Sequence, residues 1–246
     1  KPIDKRTVRY EKSKVVTLKP FVKWVGGKSQ LVEQIEKMLP SNGEKTLTKY
    51  AEPMVGGGAL FFNILSKYDF EELYISEINA ELINAYQVVK TDVENLIAKL
   101  NEMQLLFLPM DENGRKYFYY NVREKFNSTV LSQETATDKA AQFIFLNKTC
   151  FNGLYRVNRK GQFNVPMGAY KNPTICDDEN LRNIHEALQP VTIVCGDYTL
   201  SKSFIDKDTF VYLDPPYRPI SETSAFTAYN TDAFDDNEQI RLAKCI

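Results

Sequence analysis

Residues 49–79 read KYAEPMVGGGALFFNILSKYDFEELYISEIN. A short apolar stretch from about Lys49 to Glu52 runs into Pro53 and the consecutive glycines Gly56, Gly57 and Gly58; from Ala59, the residues Leu60, Phe61, Phe62, Ile64 and Leu65 fall at helical spacing. Leu73 to Ser76 reads as a second strand ending on an acid, Glu77, and Ala80 to Val89 as another helix. Strand, glycine loop, helix, strand, acid is the order of a doubly wound α/β fold with a parallel sheet. Glycines after a first strand let backbone approach a ligand closely. The run is neither the dinucleotide GxGxxG nor a phosphate-binding loop, because no Gly-Lys-Ser/Thr follows it. An acid at the end of the next strand suits ribose hydroxyls; Glu77 alone reads equally well as an exposed strand-end carboxylate.

Outward from this stretch, Leu31, Ile35, Met38 and Leu39 predict a helix that stops at Pro40, preceded over residues 1–19 by a charged, weakly patterned arm. On the other side, residues 91–176 break the strand–helix rhythm. They predict helices over Val93–Met103, Lys116–Phe126 and Asp138–Leu146, then an irregular basic segment, Phe151–Lys171. Two apolar strands follow, Val191–Cys195 and Phe210–Leu213, the second running as a buried strand into Asp214. The organisation expected is one α/β domain (1–90 and 177–246) interrupted by a mainly helical insertion (91–176). The chain ends at Ile246 inside a helix that begins near Asn237, just after what reads as a central strand, and a truncated sheet is the expectation.

Composition narrows the chemistry. With 246 residues and one histidine, His185, a site needing imidazole as a base or repeated metal ligand cannot be assembled, and the four cysteines (Cys150, Cys176, Cys195, Cys245) have no metal-ligand spacing. No metal is expected, and no apolar run approaches the roughly 18–20 residues needed to span a bilayer. The start is charged rather than signal-like, so the expected place is the cytosol, with reduced thiols. The net charge of −1 hides segregation: Lys1 to Lys28 holds nine lysines and arginines against Asp4 and Glu11, and Asn147 to Cys176 holds Lys148, Arg156, Arg159, Lys160 and Lys171 with no acid. Such blocks fit a phosphate-contacting face and equally a solvated surface.

Asp214-Pro215-Pro216-Tyr217 carries the sharpest chemical signal. An acid at the carboxyl end of a sheet strand stands where open α/β sheets bind ligands. The two prolines remove two backbone donors and stiffen the turn, leaving the Asp214 carboxylate and the Pro215 carbonyl as acceptors beside an aromatic ring. An exocyclic amine fits such a pair, and Tyr217 suits stacking on its base; Asp-Pro-Pro is also an ordinary turn. Lys23-Trp24-Val25-Gly26-Gly27-Lys28 holds the single tryptophan between lysines. An aromatic wall and a cation would suit a sulfonium cofactor's adenosine and carboxylate; a core tryptophan with surface lysines is the other reading.

In order, KWVGGK, EPMVGGGALFF, ISEIN, FNGLYRVNRKGQFNVPMGAYKNP and YLDPPY followed by SETSAFTAYNT strongly resemble the Dam family of N6-adenine DNA methyltransferases, and within it the DpnII-type restriction–modification methylases. The resemblance covers nearly the whole chain from Lys19. It implies a Rossmann-like domain using S-adenosylmethionine, with S-adenosylhomocysteine as product, and a helical target-recognition domain with a basic hairpin acting on double-stranded DNA, usually at GATC. It implies cofactor contacts at Trp24, Lys28, Glu77 and Asp214, with support from Gly56 and Gly58; Met54 and Asp197 are counted with them. Asp214, Pro215, Pro216 and Tyr217 would grip an extruded adenine. Phe151 would fill the gap in the base stack and Arg156 read a guanine, with Lys23, Asn152, Leu154, Arg159 and Pro166 as further DNA contacts. Met54 stands where an aromatic is common, and Glu77 where aspartate is usual. A monomer is expected. The competing readings are a related methyltransferase on RNA or a protein amide, where Asn replaces Asp214 and the hairpin is lacking, and a catalytically idle DNA-binding module.

Overall fold

A computed structural model of the chain describes residues 16–24, 31–37, 47–216 and 234–245. Its centre is a parallel sheet of β1 (Lys49–Pro53), β2 (Glu72–Glu77), β3 (Val191–Cys195) and β4 (Thr209–Val211), in the order β3-β2-β1-β4. β1 is flanked on both sides: Ala51 stands opposite Tyr74 of β2 and Val211 of β4. Parallel strands covered on both faces need near-continuous apolar side chains, and Tyr50, Ala51 and Ile75 are fully buried. This is the mixed α/β, Rossmann-like architecture expected.

The crossover from β1 to β2 is α2 (Ala59–Lys67), whose Leu60, Phe61, Ile64 and Leu65 enter the core; α3 (Ala80–Thr91) follows β2. Asn79 opens α3 by accepting from Leu82 N–H at 3.0 Å, satisfying a donor that the first turn leaves without an intrahelical partner. A short α1 (Val32–Glu36) precedes the sheet. Met38, Leu39 and Pro40, read as its end, lie outside the described residues.

The helices α4 (Val93–Phe107), α5 (Glu112–Ser128) and α6 (Ala136–Thr149) lie where the sequence predicts them. α5 starts earlier than its apolar pattern because Asp111 caps it, accepting from Gly114 N–H at 2.8 Å. α6 packs along α3, and side chains from both stretches share one hydrophobic cluster. Between them Lys139, only 4% exposed, pairs with Glu81 at 3.0 Å and donates to the Phe126 carbonyl at 2.8 Å. A buried ammonium is tolerable only with such partners.

The structure departs from two expectations and adds one helix. Phe210–Leu213 is not a buried strand: β4 spans Thr209–Val211, its residues are only partly buried, and among the described residues it is the sheet's edge rather than its centre. An edge strand has a neighbour on one side only, so its apolar residues keep partial exposure. The weakly patterned arm does not reach Lys19. Leu18 N–H donates to Ser66 Oγ at 3.0 Å, Asn180 bonds both the N–H and the carbonyl of Lys19, and Phe21 and Val22 are core residues. Finally, α7 (Asp178–Leu188) occupies a stretch to which the sequence assigned nothing. Its Leu181, Ile184 and Leu188 form the buried stripe, and Asp177 caps it. A last helix, α8 (Asp236–Cys245), follows β4.

β1 also buries a carboxyl. Glu52 is 3% exposed and accepts from the Tyr50 hydroxyl at 2.7 Å. Burial pushes its pKa up to about 8; the Tyr50 hydrogen bond pulls the other way, and the Asp214 charge raises it further. The folded chain therefore holds this proton where the unfolded chain, at the ordinary value of 4.5, has released it. The stability so contributed is complete below the ordinary value and lost as pH rises through about 8. Glu52→Gln should melt higher than the native chain at about pH 9 and close to it at about pH 5. Thermal melts at both values check this; a difference independent of pH refutes it.

Candidate functional site

The parallel register brings the carboxyl ends of all four strands to one edge. After β1 the chain turns back over β2: Met54 and Val55 both donate to the Ser76 carbonyl, at 2.8 and 3.0 Å. Met54 and Gly56 then adopt positive φ, +72° and +52°. Methionine rarely visits this region, so the turn is held by its surroundings. Glu77 provides the hold. Its Oε2 accepts from Gly56 N–H at 3.2 Å, and its Oε1 from Ile78 and Asn79 N–H at 2.9 and 3.3 Å. Burial raises the Glu77 pKa, and these three backbone donors oppose the rise. From below, the buried Tyr86 hydroxyl of α3 donates to the Gly56 carbonyl at 3.1 Å. Gly58, also at positive φ, closes the loop and opens α2.

Trp24 lies against this loop. A Cβ on Gly56 would stand 2.8 Å from the indole Cδ1, so only glycine admits the ring there. The indole stacks on Tyr155 with centroids 5.6 Å apart and planes 24° from parallel. It is half-buried and packs on the core, so the two readings of Trp24 are not exclusive. Lys28 lies outside the described residues.

On the other flank, just past β4, Tyr212 N–H donates to the Ala51 carbonyl at 2.9 Å. The chain then runs to Asp214, whose charge is felt by Glu52 at the end of β1. Asp214 and Pro215 are half-exposed and Pro216 exposed, so the pair of acceptors is not sealed in the interior. Tyr217 lies outside the described residues. Asp197 follows β3 at the same edge, but its carboxylate is engaged by Arg241 of α8, at 2.9 and 3.0 Å, and by Thr199 N–H at 3.0 Å. It joins α8 to the sheet.

The basic segment is irregular, as expected, and folds back on itself as an arm. Antiparallel bridges join Cys150 to Met167 and Val157 to Phe163, and the tip turns at Asn158–Gln162. At its base Phe151–Gly153 forms one 3-10 turn with Asn152 at φ +56°, a conformation asparagine tolerates better than most residues. Phe151 is 51% exposed, an unusual position for a large apolar ring. Arg156, Arg159 and Pro166 are exposed and Leu154 half-buried. Arg156 Nε donates to Asn164 Oδ1 at 2.8 Å, tying the two limbs. Lys23, from the Trp24 segment, comes to the same face: its Nζ stands 4.2 Å from the Tyr170 ring centre.

Sequence reasoning missed Tyr86, Asn79, Tyr155 and Tyr170. Burial pushes the Tyr155 phenol up to about 12, with a hydrogen bond to the Asn79 side chain opposing. Tyr155 and Tyr170 sit inside the FNGLYR…GAYKNP stretch, and their spacing in the arm was the available signal. Tyr86 looks like any helical core aromatic and had none.

A sheet edge with a glycine loop, a strand-end carboxylate, an aromatic wall and a second carboxylate beside a prolyl carbonyl can hold a nucleoside and orient an amine. A family profile described as D12 class N6 adenine-specific DNA methyltransferase matches residues 24–246. The chain is 51% identical over 228 residues to type II methyltransferase M.MjaIII of Methanocaldococcus jannaschii, covering 92% of this chain and 78% of that protein. It is 39% identical to type II methyltransferase M1.LlaDCHI of Lactococcus lactis subsp. cremoris (94% and 76% covered), and 38% identical to the DNA adenine methylase of Vibrio cholerae (91% and 74%). The match spans both the sheet edge and the basic arm, and the chain belongs to the D12 class of N6-adenine-specific DNA methyltransferases.

Proposed function

We propose that the chain takes a methyl group from S-adenosylmethionine and places it on the N6 of an adenine swung out of duplex DNA, with GATC as its target. The observation that carries this reading is the parallel register of β4 on β1, Val211 opposite Ala51 and Tyr212 N–H on the Ala51 carbonyl, which leads the chain to Asp214 at the edge that holds the loop framed by Glu77 and Trp24. Donor and acceptor would meet across that edge.

The loop fits the cofactor. Gly56 lets the Trp24 ring pack directly on the loop, and Glu77 accepts three hydrogen bonds where a carboxylate has about four sites, leaving capacity on Oε2 for a ribose hydroxyl. Lys28 would face the carboxylate of the bound molecule. When bound, S-adenosylmethionine supplies an electrophilic methyl on a sulfonium and is left as S-adenosylhomocysteine. Asp214 and the Pro215 carbonyl accept the two N–H bonds of the adenine amine, orienting its lone pair toward the methyl; Pro216 stiffens the turn and Tyr217 stacks on the ring. Positioning and polarisation are the protein's contribution.

Residues 91–176 serve target recognition in this reading. Extruding a base costs a few kcal/mol, offset in part when exposed Phe151 fills the vacated stack. Arg156 reads a guanine, Lys23 and Pro166 contact neighbouring bases, and Asn152, Leu154 and Arg159 complete the arm's contact with DNA. Each strand of a palindrome can be treated separately, so one copy suffices. Incubation with radiolabelled S-adenosylmethionine and GATC-containing DNA, GATC-free DNA or RNA tests the whole reading. Label confined to adenine N6 of the first supports it; label on RNA or protein, or equal labelling of both DNAs, rejects it.

Three substitutions test its parts. Asp214→Ala should lower methyl transfer by at least about a hundredfold while specific DNA affinity stays near native; near-native turnover would exclude the role given to Asp214. Arg156→Ala should cost about 1–3 kcal/mol of discrimination at the guanine, measured as relative kcat/KM on single-substituted duplexes. Trp24→Ala should weaken S-adenosylhomocysteine binding by about tenfold in calorimetry, and an unchanged Kd would remove Trp24 from the cofactor site.

A further inference from the structure

We infer that Asn147 is a positioning residue for base reading: its buried amide sets Lys23 and the Phe151–Arg156 arm in register, so that the two engage DNA as one rigid element. This rests on the DNA-reading roles proposed above for Lys23 and Arg156.

Asn147 lies near the end of α6 and is 3% exposed. Its Oδ1 accepts from Lys23 N–H at 2.7 Å, and its Nδ2 donates to the Lys23 carbonyl at 2.8 Å and to the Gly153 carbonyl at 3.1 Å. The amide thus grips one residue by both backbone groups, as a strand neighbour would, and uses its other N–H to hold the arm's 3-10 turn. Lys23 and Asn147 are 124 positions apart in the chain, so covalent connectivity does nothing to align Lys23 with the arm. There is no slack between them either. Gly153 has φ +62°, and a Cβ there would stand 2.5 Å from Lys23 Cδ and 2.6 Å from Lys23 Cβ. Lys23 Nζ then faces Tyr170 on the arm's return side, and the next residue, Trp24, stacks on Tyr155 beside Arg156. Few side chains can replace this amide. Aspartate loses both donors when ionised, glutamine is one methylene too long, and serine makes at most part of the grip.

The same segment supplies a control. Four residues earlier, Asn180 grips Lys19 in the same two-handed way, at 3.0 and 2.9 Å; among the described residues its side chain bonds no part of the arm. Losing either asparagine leaves partly buried backbone groups without these partners and should lower stability. Only Asn147 should affect base discrimination.

The test compares native chain, Asn147→Ser, Asn180→Ser, Lys23→Ala and Arg156→Ala. The readouts are the ratio of kcat/KM on a GATC duplex to that on duplexes changed at one base pair, thermal melting, and the Kd for S-adenosylhomocysteine. The expected result is a ratio at least about tenfold lower in Asn147→Ser, at the positions that Lys23→Ala and Arg156→Ala also lose. Asn180→Ser should melt lower yet keep the native ratio. A native ratio in Asn147→Ser alongside lost discrimination in Lys23→Ala and Arg156→Ala would overturn the inference; so would an equal loss in Asn180→Ser. If neither Lys23→Ala nor Arg156→Ala alters the ratio, the DNA-reading roles themselves fail, and the inference with them. Should Asn147→Ser not fold, Asn147→Asp preserves the volume. Its discrimination should be poor at high pH and recover as the buried carboxyl takes up a proton and regains a donor; native discrimination at high pH would overturn the inference.

Discussion

The parallel pairing of β1 with β2 on one side and β4 on the other is the constraint on which the rest depends. That one register carries the glycine loop, Glu77 and Asp214 to the same edge of the sheet, although they lie far apart in the chain. A slip of one residue would turn every side chain to the opposite face. The register is locked by the side chains it buries, Tyr50, Ala51 and Ile75 among them, and full burial of one large apolar side chain is worth about 1.5–3 kcal/mol. Beyond the ladder, backbone groups extend the lock. Met54 and Val55 close on Ser76, Gly196 N–H closes on Glu77, and Tyr212 closes on Ala51.

Two carboxylic acids near this edge meet different fates. Glu52 sits within the dry sheet, shares a hydrogen bond with Tyr50 and is driven toward its neutral form. Asp214, three residues beyond β4, is only partly buried. Glu77 is different again, its oxygens shaping the loop that carries Gly56. The arm is joined to this edge by side chains rather than by the sheet: Trp24 on Tyr155, and Tyr155 toward Asn79 at the start of α3.

Much of the fold was legible because glycine, proline and helical periodicity punctuate it. β1, the glycine loop, α2, β2 and α3 fall within a few residues of their expected bounds, since each is announced by a local signal within residues 49–91. α7 carried a readable stripe, Leu181, Ile184 and Leu188, but its mean polarity hid it. β4 misled because an apolar run says nothing about whether a strand has one neighbour or two. Among the candidate site residues, the types and order of Trp24, Gly56, Glu77, Asp214 and Arg156 were visible as motifs. What those residues hold onto was not. Asn147 grips Lys23 across 124 positions and Asn180 grips Lys19 across 161, and an isolated asparagine in a helix leaves no periodic trace of such a partner. The engagement of Asp197 by Arg241 is equally non-local.

The central claim is that one sheet edge holds the methyl donor and the target amine together. A crystal structure of the chain with sinefungin and a GATC duplex tests it most directly. The account predicts the cofactor analogue in the loop formed by Gly56, Glu77 and Trp24, and an extruded adenine whose amine bonds Asp214 and the Pro215 carbonyl. An adenine left stacked in the duplex, or an analogue bound away from that loop, would contradict it.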